Sequence, residues 1–436
     1  MRICLSIAAG TLLFLPLLTH GGEVSWAAKN CRTETFKWEL LEKVLEQDSA
    51  ETREQCRQAA KQGDLAAQTY VGLMYLYGVG VGKDKEEAMR WFNKAAKEKY
   101  APAQYYIGVM REKSIKRDGT LREEFIDHDK KMKEAVEWYK KAADQGYAPA
   151  QTRLATINFS GFGIPMNITE AMRLYRLAAE QGYEAAQVTL GNKYAEGYRV
   201  QKNEAEAVKW YKKAAEQGNS DARRQLAEMY AEGRGVEKDE VEAVRLFRLD
   251  GQELELGKMY AEGRGVKKDE AEAVRLFKSA LGDGKGTYSG MAQYELSKMY
   301  AEGRGVKKDD AEAVKWLRLA AENMNSSAQF ELGKRYLEGR GVEKDEYEAM
   351  TWFRRVSSME DGVAEFEVGK WYAGSQCVEK YGGDRAKRCE GEAINWYIKA
   401  ERKGHPGAIA VLRELAAKGN LLAQQEIEMM EKRPKK

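Results

Sequence analysis

Hydrophobic positions along this chain fall into pairs of helical stripes. In the segment AAQVTLGNKYAEGYRVQKNEAEAVKWYKKAAEQGN, which starts at Ala185, the residues Ala186, Leu190, Gly191 and Tyr194 lie three and four apart on one helical face. The stripe stops at Gly197. A second begins after Asn203 with Ala207, Val208, Trp210, Tyr211, Ala214 and Ala215. It ends at Gly218, a residue suited to the left-handed position beyond a helix C-terminus. The pattern predicts two amphipathic helices joined by a polar loop.

The same pattern returns along most of the chain. Near-copies of YAEGRGVKKDEAEAVRLF start at Tyr230, Tyr260, Tyr300 and Tyr336, and an Ala-Gln pair recurs at 67/68, 103/104, 150/151, 186/187, 292/293 and 328/329, most often 36 residues apart. Such recurrence points to a stack of one supersecondary unit sharing a continuous core, from about Leu65 to His405. Each second helix opens on Asp or Asn with Glu three residues later, as at Asp84/Glu87, Asn167/Glu170, Asn203/Glu206, Asp239/Glu242, Asp269/Glu272, Asp309/Glu312 and Asp345/Glu348. That spacing predicts a capping box, in which both side chains satisfy orphaned amides. A glycine slot on the first helix (Gly72, Gly108, Gly191, Gly257, Gly333, Gly369) is expected to face the large aromatics Trp91, Trp138, Trp210, Trp316, Trp352 and Trp396.

Ala-Gln, Leu-Gly, Met-Tyr, the Gly-x-Gly-Val loop, Lys-Asp, Glu-Ala and Trp-Tyr-x-x-Ala-Ala together resemble the Sel1-like repeat, a relative of the tetratricopeptide repeat with a longer loop. The resemblance implies an all-α fold, a right-handed α-solenoid superhelix of about nine helix-hairpin repeats. It also implies a non-catalytic adaptor that holds protein partners on a concave surface lined by the first helices. Similar proteins include exported bacterial ones linked to envelope assembly or host contact, and a eukaryotic one in the endoplasmic reticulum.

The ends and the irregularities refine this picture. Residues 1–27 read as a secretory signal peptide: Arg2, an apolar run, then Ser25-Trp26-Ala27. Gly10 and Pro16 interrupt the run and argue against a membrane anchor, and no integral membrane segment is expected once the leader is cleaved. Residues 28–64 read as capping helices, 65–405 as the solenoid, and 406–436 as a second cap with a basic tail. Insertions near 111–134, 281–291 and 374–392 are expected to be loops, either carrying partner contacts or drifting in length. An exported location, periplasmic or extracellular, makes disulfides reasonable. Cys377 and Cys389 bracket one insertion, Cys31 and Cys56 remain as a second pair, and the alternative for each is a free buried thiol.

Composition narrows the function classes. The 436 residues carry 72 basic and 69 acidic side chains. The near balance, without a clustered basic face, argues against nucleic acid. Beyond the leader only His128 and His405 are histidines, and neither has a His or Cys at metal-ligand spacing. No metal, cofactor or catalytic residue is expected. There is no G-x-S-x-G or S-x-x-K, and the loop Gly78-Val79-Gly80-Val81-Gly82-Lys83-Asp84 lacks the Ser/Thr and the strand of a phosphate loop. The candidate partner-binding surface is a ladder of pairs on the first helices: Glu255/Lys258, Glu295/Lys298, Glu331/Lys334 and Glu367/Lys370. The plain alternative is a solvated face. Two other functions stay open: a cell-wall or β-lactam-processing hydrolase, although relatives of that type carry a Cys pair in most units and this chain does not, and a secreted effector binding host proteins. Glycosylation sequons at Asn158, Asn167 and Asn325 arise often by chance.

Overall fold

The computed structural model describes residues 49–113, 122–282, 284–356, 362–374 and 384–432, with side chains at 122–129 and 384–388 left aside. The leader, most of the 28–64 segment, Cys31, Cys377 and the side chain of His128 therefore lie outside the described residues. Among the described residues there are twenty-one α-helices and no strand. The chain divides into two compact units, Met1–Ala222 and Arg223–Lys436.

The first unit holds α1 (Ala50–Lys61), α2 (Leu65–Tyr77), α3 (Lys85–Lys97), α4 (Ala101–Lys113), α5 (Arg122–Asp144), α6 (Ala148–Ser160), α7 (Ile168–Glu180), α8 (Glu184–Glu196) and α9 (Glu204–Glu216). The division falls within α10 (Ser220–Glu232). The second unit continues with α11 (Glu240–Leu249), α12 (Glu253–Glu262), α13 (Glu270–Ser279), α14 (Gly286–Glu302), α15 (Asp310–Glu322), α16 (Ser326–Glu338), α17 (Glu346–Arg355), α18 (Val363–Ala373), α19 (Asp384–Arg402), α20 (Pro406–Ala417) and α21 (Leu421–Lys432). Each helix packs on the next in sequence from α1 to α9 and from α11 to α21, so the fold is a solenoid of helical hairpins. Its core is built one hairpin at a time, from the invariably buried alanines of the Ala-Gln slot outward.

Half of the expected capping box forms. Asp269 Oδ1 accepts from Glu272 N–H at 2.9 Å, and Asp84, Asn167, Asn203, Asp239, Asp309 and Asp345 do the same one unit after another. The Glu does not reach back. The cap's own N–H instead donates to a carbonyl of the preceding helix, as Asp269 N–H does to Tyr260 O at 3.0 Å, which closes the loop. The Glu turns to a cation at i+3, as Glu272 does to Arg275.

The glycine slot also differs from expectation. A Cβ at Gly191 would stand 2.5 Å from the ring of Tyr211, and one at Gly257 would stand 2.5 Å from Phe277. The ring that fills the slot belongs to the residue after the tryptophan position, rotated about 100° around the helix. The tryptophans pack instead on neighbouring hairpins: Trp210 joins the cluster of Leu154 and Leu190, and Lys213 lies over its indole at 4.6 Å. In the loop, Gly303 ends α14 in the left-handed conformation, φ 74°. Gly305 is glycine for proximity as well: its φ is 65°, and a Cβ there would meet Glu270 O at 2.1 Å.

Two of the insertions are largely helix. α5 has 23 residues and α14 has 17, against 13 in most other helices. The extension of α14 follows a contraction, since α11, α12 and α13 have 10 residues each. The added turn brings Tyr288 over the start of the shortened α12, where its hydroxyl accepts from Leu254 N–H and donates to Glu255 Oε2, both at 3.3 Å.

Candidate functional site

The four Glu/Lys pairs lie on α12, α14, α16 and α18, all in the second unit. Each pair closes, at 3.8 Å for Lys258 and Glu255, 2.6 Å for Lys298 and Glu295, 3.5 Å for Lys334 and Glu331, and 2.7 Å for Lys370 and Glu367. An aromatic ring sits one turn before three of the lysines, with Nζ 5.3 Å from the Tyr294 ring, 6.0 Å from Phe330 and 5.6 Å from Phe366. Lysine stems thus cover apolar surface while their heads remain in water.

One of these carboxylates reaches a neighbouring helix by a hydrogen bond. Glu255 accepts from Tyr288 of α14, and burial, then the Glu255 charge, push that phenol up to about 12. Burial also raises the Tyr294 phenol, and the next contribution is the charge of Glu331 on α16. Tyr397 of α19 is raised by burial and then by Glu367. One turn further along their helices, Glu262 and Glu302 each lie 3.4 Å from an arginine, Arg264 or Arg304. The arginines in turn pair with Glu240 and Glu270 at 3.0 Å, which staples each loop to the preceding hairpin.

The first unit has no such ladder. At the equivalent positions stand Arg153 and Thr156 on α6, and Thr189 and Asn192 on α8. There the polar side chain serves the core: Tyr175 and Thr156 hydroxyls lie 2.9 Å apart, and Tyr211 O–H donates to Asn192 Oδ1 at 2.6 Å.

The glutamine of the recurring Ala-Gln pair has a role that sequence reasoning missed. Gln151 Nε2 donates to Ala143 O at the end of the preceding hairpin, and its Oε1 accepts from Gln181 Nε2 at 2.8 Å, at the end of its own hairpin. Gln187 with Gln217 and Gln293 with Asn323 repeat the arrangement. This buried amide therefore clamps three helices. Its signal was the 30-residue distance from one amide to the next in the regular units, which the insertion lengthens to 41 between Gln104 and Gln145. In two places charges replace the amides: Arg223 pairs with Asp250, and Glu365 with Lys403.

Other sequence candidates are structurally occupied. Asn158 is buried and donates to Leu154 O, while Asn167 and Asn325 cap helices, so each sequon asparagine already has a partner. His405 caps α20 through Nδ1 and stacks on Phe366 at 4.4 Å. The glycine-rich loop at 78–84 is a linker from the αL cap of α2 to the N-cap of α3. Cys56 and Cys389 are buried. Among the described residues no group of three or more His, Cys, Asp or Glu could hold a metal, and no helix is long and apolar enough to cross a membrane.

Comparisons with known proteins agree with this geometry. The model of the Sel1 repeat matches nine times, at residues 65–100, 101–147, 148–183, 185–219, 220–249, 253–284, 290–323, 326–361 and 362–405. Among solved structures, a protective antigen present in uropathogenic Escherichia coli strains and displaying an SLR fold is 32% identical, with a TM-score of 0.62, over 82% of this chain and 73% of that one. A Sel1 repeat protein from Oxalobacter formigenes is 27% identical, with a TM-score of 0.53, over 78% of this chain and 95% of the other. Among curated proteins none matches significantly.

Proposed function

We propose, from the premise that this chain belongs to the Sel1 repeat family, that it is an exported scaffold binding protein partners along the Glu/Lys ladder of its second unit. The observation that carries this reading is the placement of the ladder. Four successive first helices present the same pair on one exposed row, whereas the first unit uses those positions to hold its own core. Export rests on the leader-like residues 1–27 and places the chain in a periplasm or outside the cell. Similarity to a protein described as a protective antigen supports a place where host molecules meet it. The disulfides Cys31–Cys56 and Cys377–Cys389 belong to the same proposal. In their support, Cys56 and Cys389 are both disulfide-bonded.

The test is a capture experiment. Wild-type protein and the variant Lys258→Glu, Lys298→Glu, Lys334→Glu are used as bait in the envelope fraction of the source cell, and captured proteins are quantified by mass spectrometry. The triple variant is expected to lose its specific partner by about tenfold or more. Undiminished capture rejects the ladder as the working surface.

A further inference from the structure

We infer that the first unit carries a second binding site, independent of the ladder: a cluster of tyrosines on α4 and at the starts of α6 and α8 that takes a proline-rich segment of a partner in the polyproline II conformation. The helix starts give the first indication. Tyr147 and Tyr183 occupy the N-cap positions of α6 and α8 and make no side-chain cap hydrogen bond. At the same place in other units Asp64, Asn219 and Asn325 each accept from the amide three residues on. Two successive units thus forgo a stabilising cap and carry a phenol ring instead.

The rings gather on one hub. Tyr105 of α4 meets Tyr147 and Tyr106 edge-on, at 5.6 and 5.2 Å between centroids, and Tyr139 at 5.7 Å. Tyr105, Tyr147 and Tyr183 rest on the same core cluster. Tyr106 is 4% exposed, and the other three are half-buried. Among the described residues the hydroxyls of Tyr105, Tyr106, Tyr147 and Tyr183 have no hydrogen-bond partner, whereas those of Tyr139, Tyr175 and Tyr211 are bonded. The unbonded tips lie close enough to act on one another. Burial raises the Tyr147 phenol, followed by Tyr106 and Tyr105; burial and then Tyr105 raise Tyr106, and Tyr183 contributes to both.

Acceptors beside the cluster are already engaged. Glu112 is held by Arg153 and by the Tyr139 hydroxyl, and Glu184 by Asn219. Gln104 Oε1 accepts from Gln145 Nε2 at 2.7 Å, and Gln151 Oε1 from Gln181 Nε2 at 2.8 Å. What remains is a set of aromatic rings with O–H donors to spare, and this inventory selects the occupant. A polyproline II segment makes no internal hydrogen bonds, so its carbonyls need donors, and proline has no N–H to leave stranded. Its rings pack on aromatic side chains, and its preformed shape costs little entropy to hold. A helical segment would consume its own carbonyls. A sugar would bring hydroxyl donors to a place whose acceptors are taken.

The experiment uses full-length protein and two fluorescein-labelled peptides, Pro-Pro-Ala repeated four times and Gly-Ser-Ala repeated four times, read by fluorescence anisotropy with unlabelled cellohexaose as a competitor. The proline-rich peptide should bind, the flexible one should not, and the sugar should displace neither. The double variant Tyr105→Phe, Tyr147→Phe keeps both rings and removes two donors, so it should bind the proline-rich peptide about tenfold more weakly. Its melting temperature should be no lower than that of wild type, because neither hydroxyl has a partner in the fold. The variant Lys258→Glu, Lys298→Glu, Lys334→Glu should bind the peptide as wild type does. Failure of the proline-rich peptide to bind, equal binding of both peptides, displacement by cellohexaose or unchanged binding by the Phe variant overturns the inference. A lowered melting temperature in the Phe variant would make the hydroxyls part of the fold and overturns it as well. The site and the ladder fail separately: peptide binding lost on charge reversal of the ladder ends the independence of the site, while a ladder rejected by its capture test leaves the tyrosine cluster standing.

Discussion

Lys403 Nζ lies 2.6 Å from Glu365 Oε1, in the place where Gln181 and Gln151 share an amide hydrogen bond. The ion pair is a substitute for two amides, and Glu365 is the more enclosed partner, its side chain 10% exposed against 29% for Lys403. Removing the cation alone leaves a confined carboxylate without its counter-charge. Lys403→Gln should cost about 2–3 kcal/mol. Glu365→Gln should cost about 1 kcal/mol, because the lysine can reach water. The double Gln variant restores the amide pair used elsewhere and should fall within about 1 kcal/mol of wild type. Urea unfolding of the four proteins closes this cycle. A double variant no better than Lys403→Gln alone would show that the two sites are not interchangeable forms of one clamp.

The first hairpin carries a flaw in the same clamp. Gln68 Oε1 is buried without a hydrogen-bond partner, and the residue 30 positions on is Glu98, whose ionised carboxylate has no proton to give. The next residue, Lys99, adopts φ 58° where Gly146 and Gly182 stand in later units. Glu98→Gln is expected to gain about 1 kcal/mol by supplying the missing donor. Lys99→Gly should add about 0.5–1 kcal/mol by relieving left-handed strain. Thermal melts of the single and double variants measure both, and a lowered melting temperature in Glu98→Gln contradicts the clamp.

The loop staples make stability depend on acid pH. Hydrogen bonds from Lys268 and Arg304 hold the Glu270 carboxyl below its ordinary value of 4.5, and Lys238 and Arg264 do the same for Glu240. A carboxyl lowered in the folded state contributes stability above its unfolded value, and loses that contribution as the pH falls through the lowered one. Melting temperature should therefore drop below about pH 4.5. Arg304→Ala should lower it by about 1–2 °C at pH 7, as befits exposed pairs, and flatten the drop between pH 5 and pH 3. An equally steep acid limb in this variant would assign the acid sensitivity to other carboxylates.

Periodicity made the hairpins readable because each buried stripe has to recur wherever a helix meets its neighbour. The caps were readable because Asp or Asn at a helix start has one dominant role. What remained hidden depended on direction and on long-range pairing. A one-residue step turns a helical side chain by about 100°, which is why Tyr211 and not Trp210 fills the space above Gly191. Glu272 has two competing partners at equal sequence distance, and Arg275 takes it. Gln151 looked like a marker of the repeat because its partners, Ala143 O and Gln181, lie on two other helices. The ladder pairs were visible as i, i+3 neighbours, but the contact of Tyr288 with Glu255 was not, since the tyrosine comes from another helix of the stack.

The short α12 and the long α14 are two halves of one change. Measured between the loop tyrosines, the distance from Tyr230 to Tyr260 is 30 residues, shorter than the regular 36, and the distance from Tyr260 to Tyr300 is 40, which makes up most of the shortfall. Tyr288 joins the halves by roofing the amide end that the shortening laid bare. Anyone trimming, grafting or shuffling hairpins of this protein must therefore move residues 250–302 as a single block. A cut within it would strand a helix start with no lid on one side and a surplus turn with nothing to cover on the other.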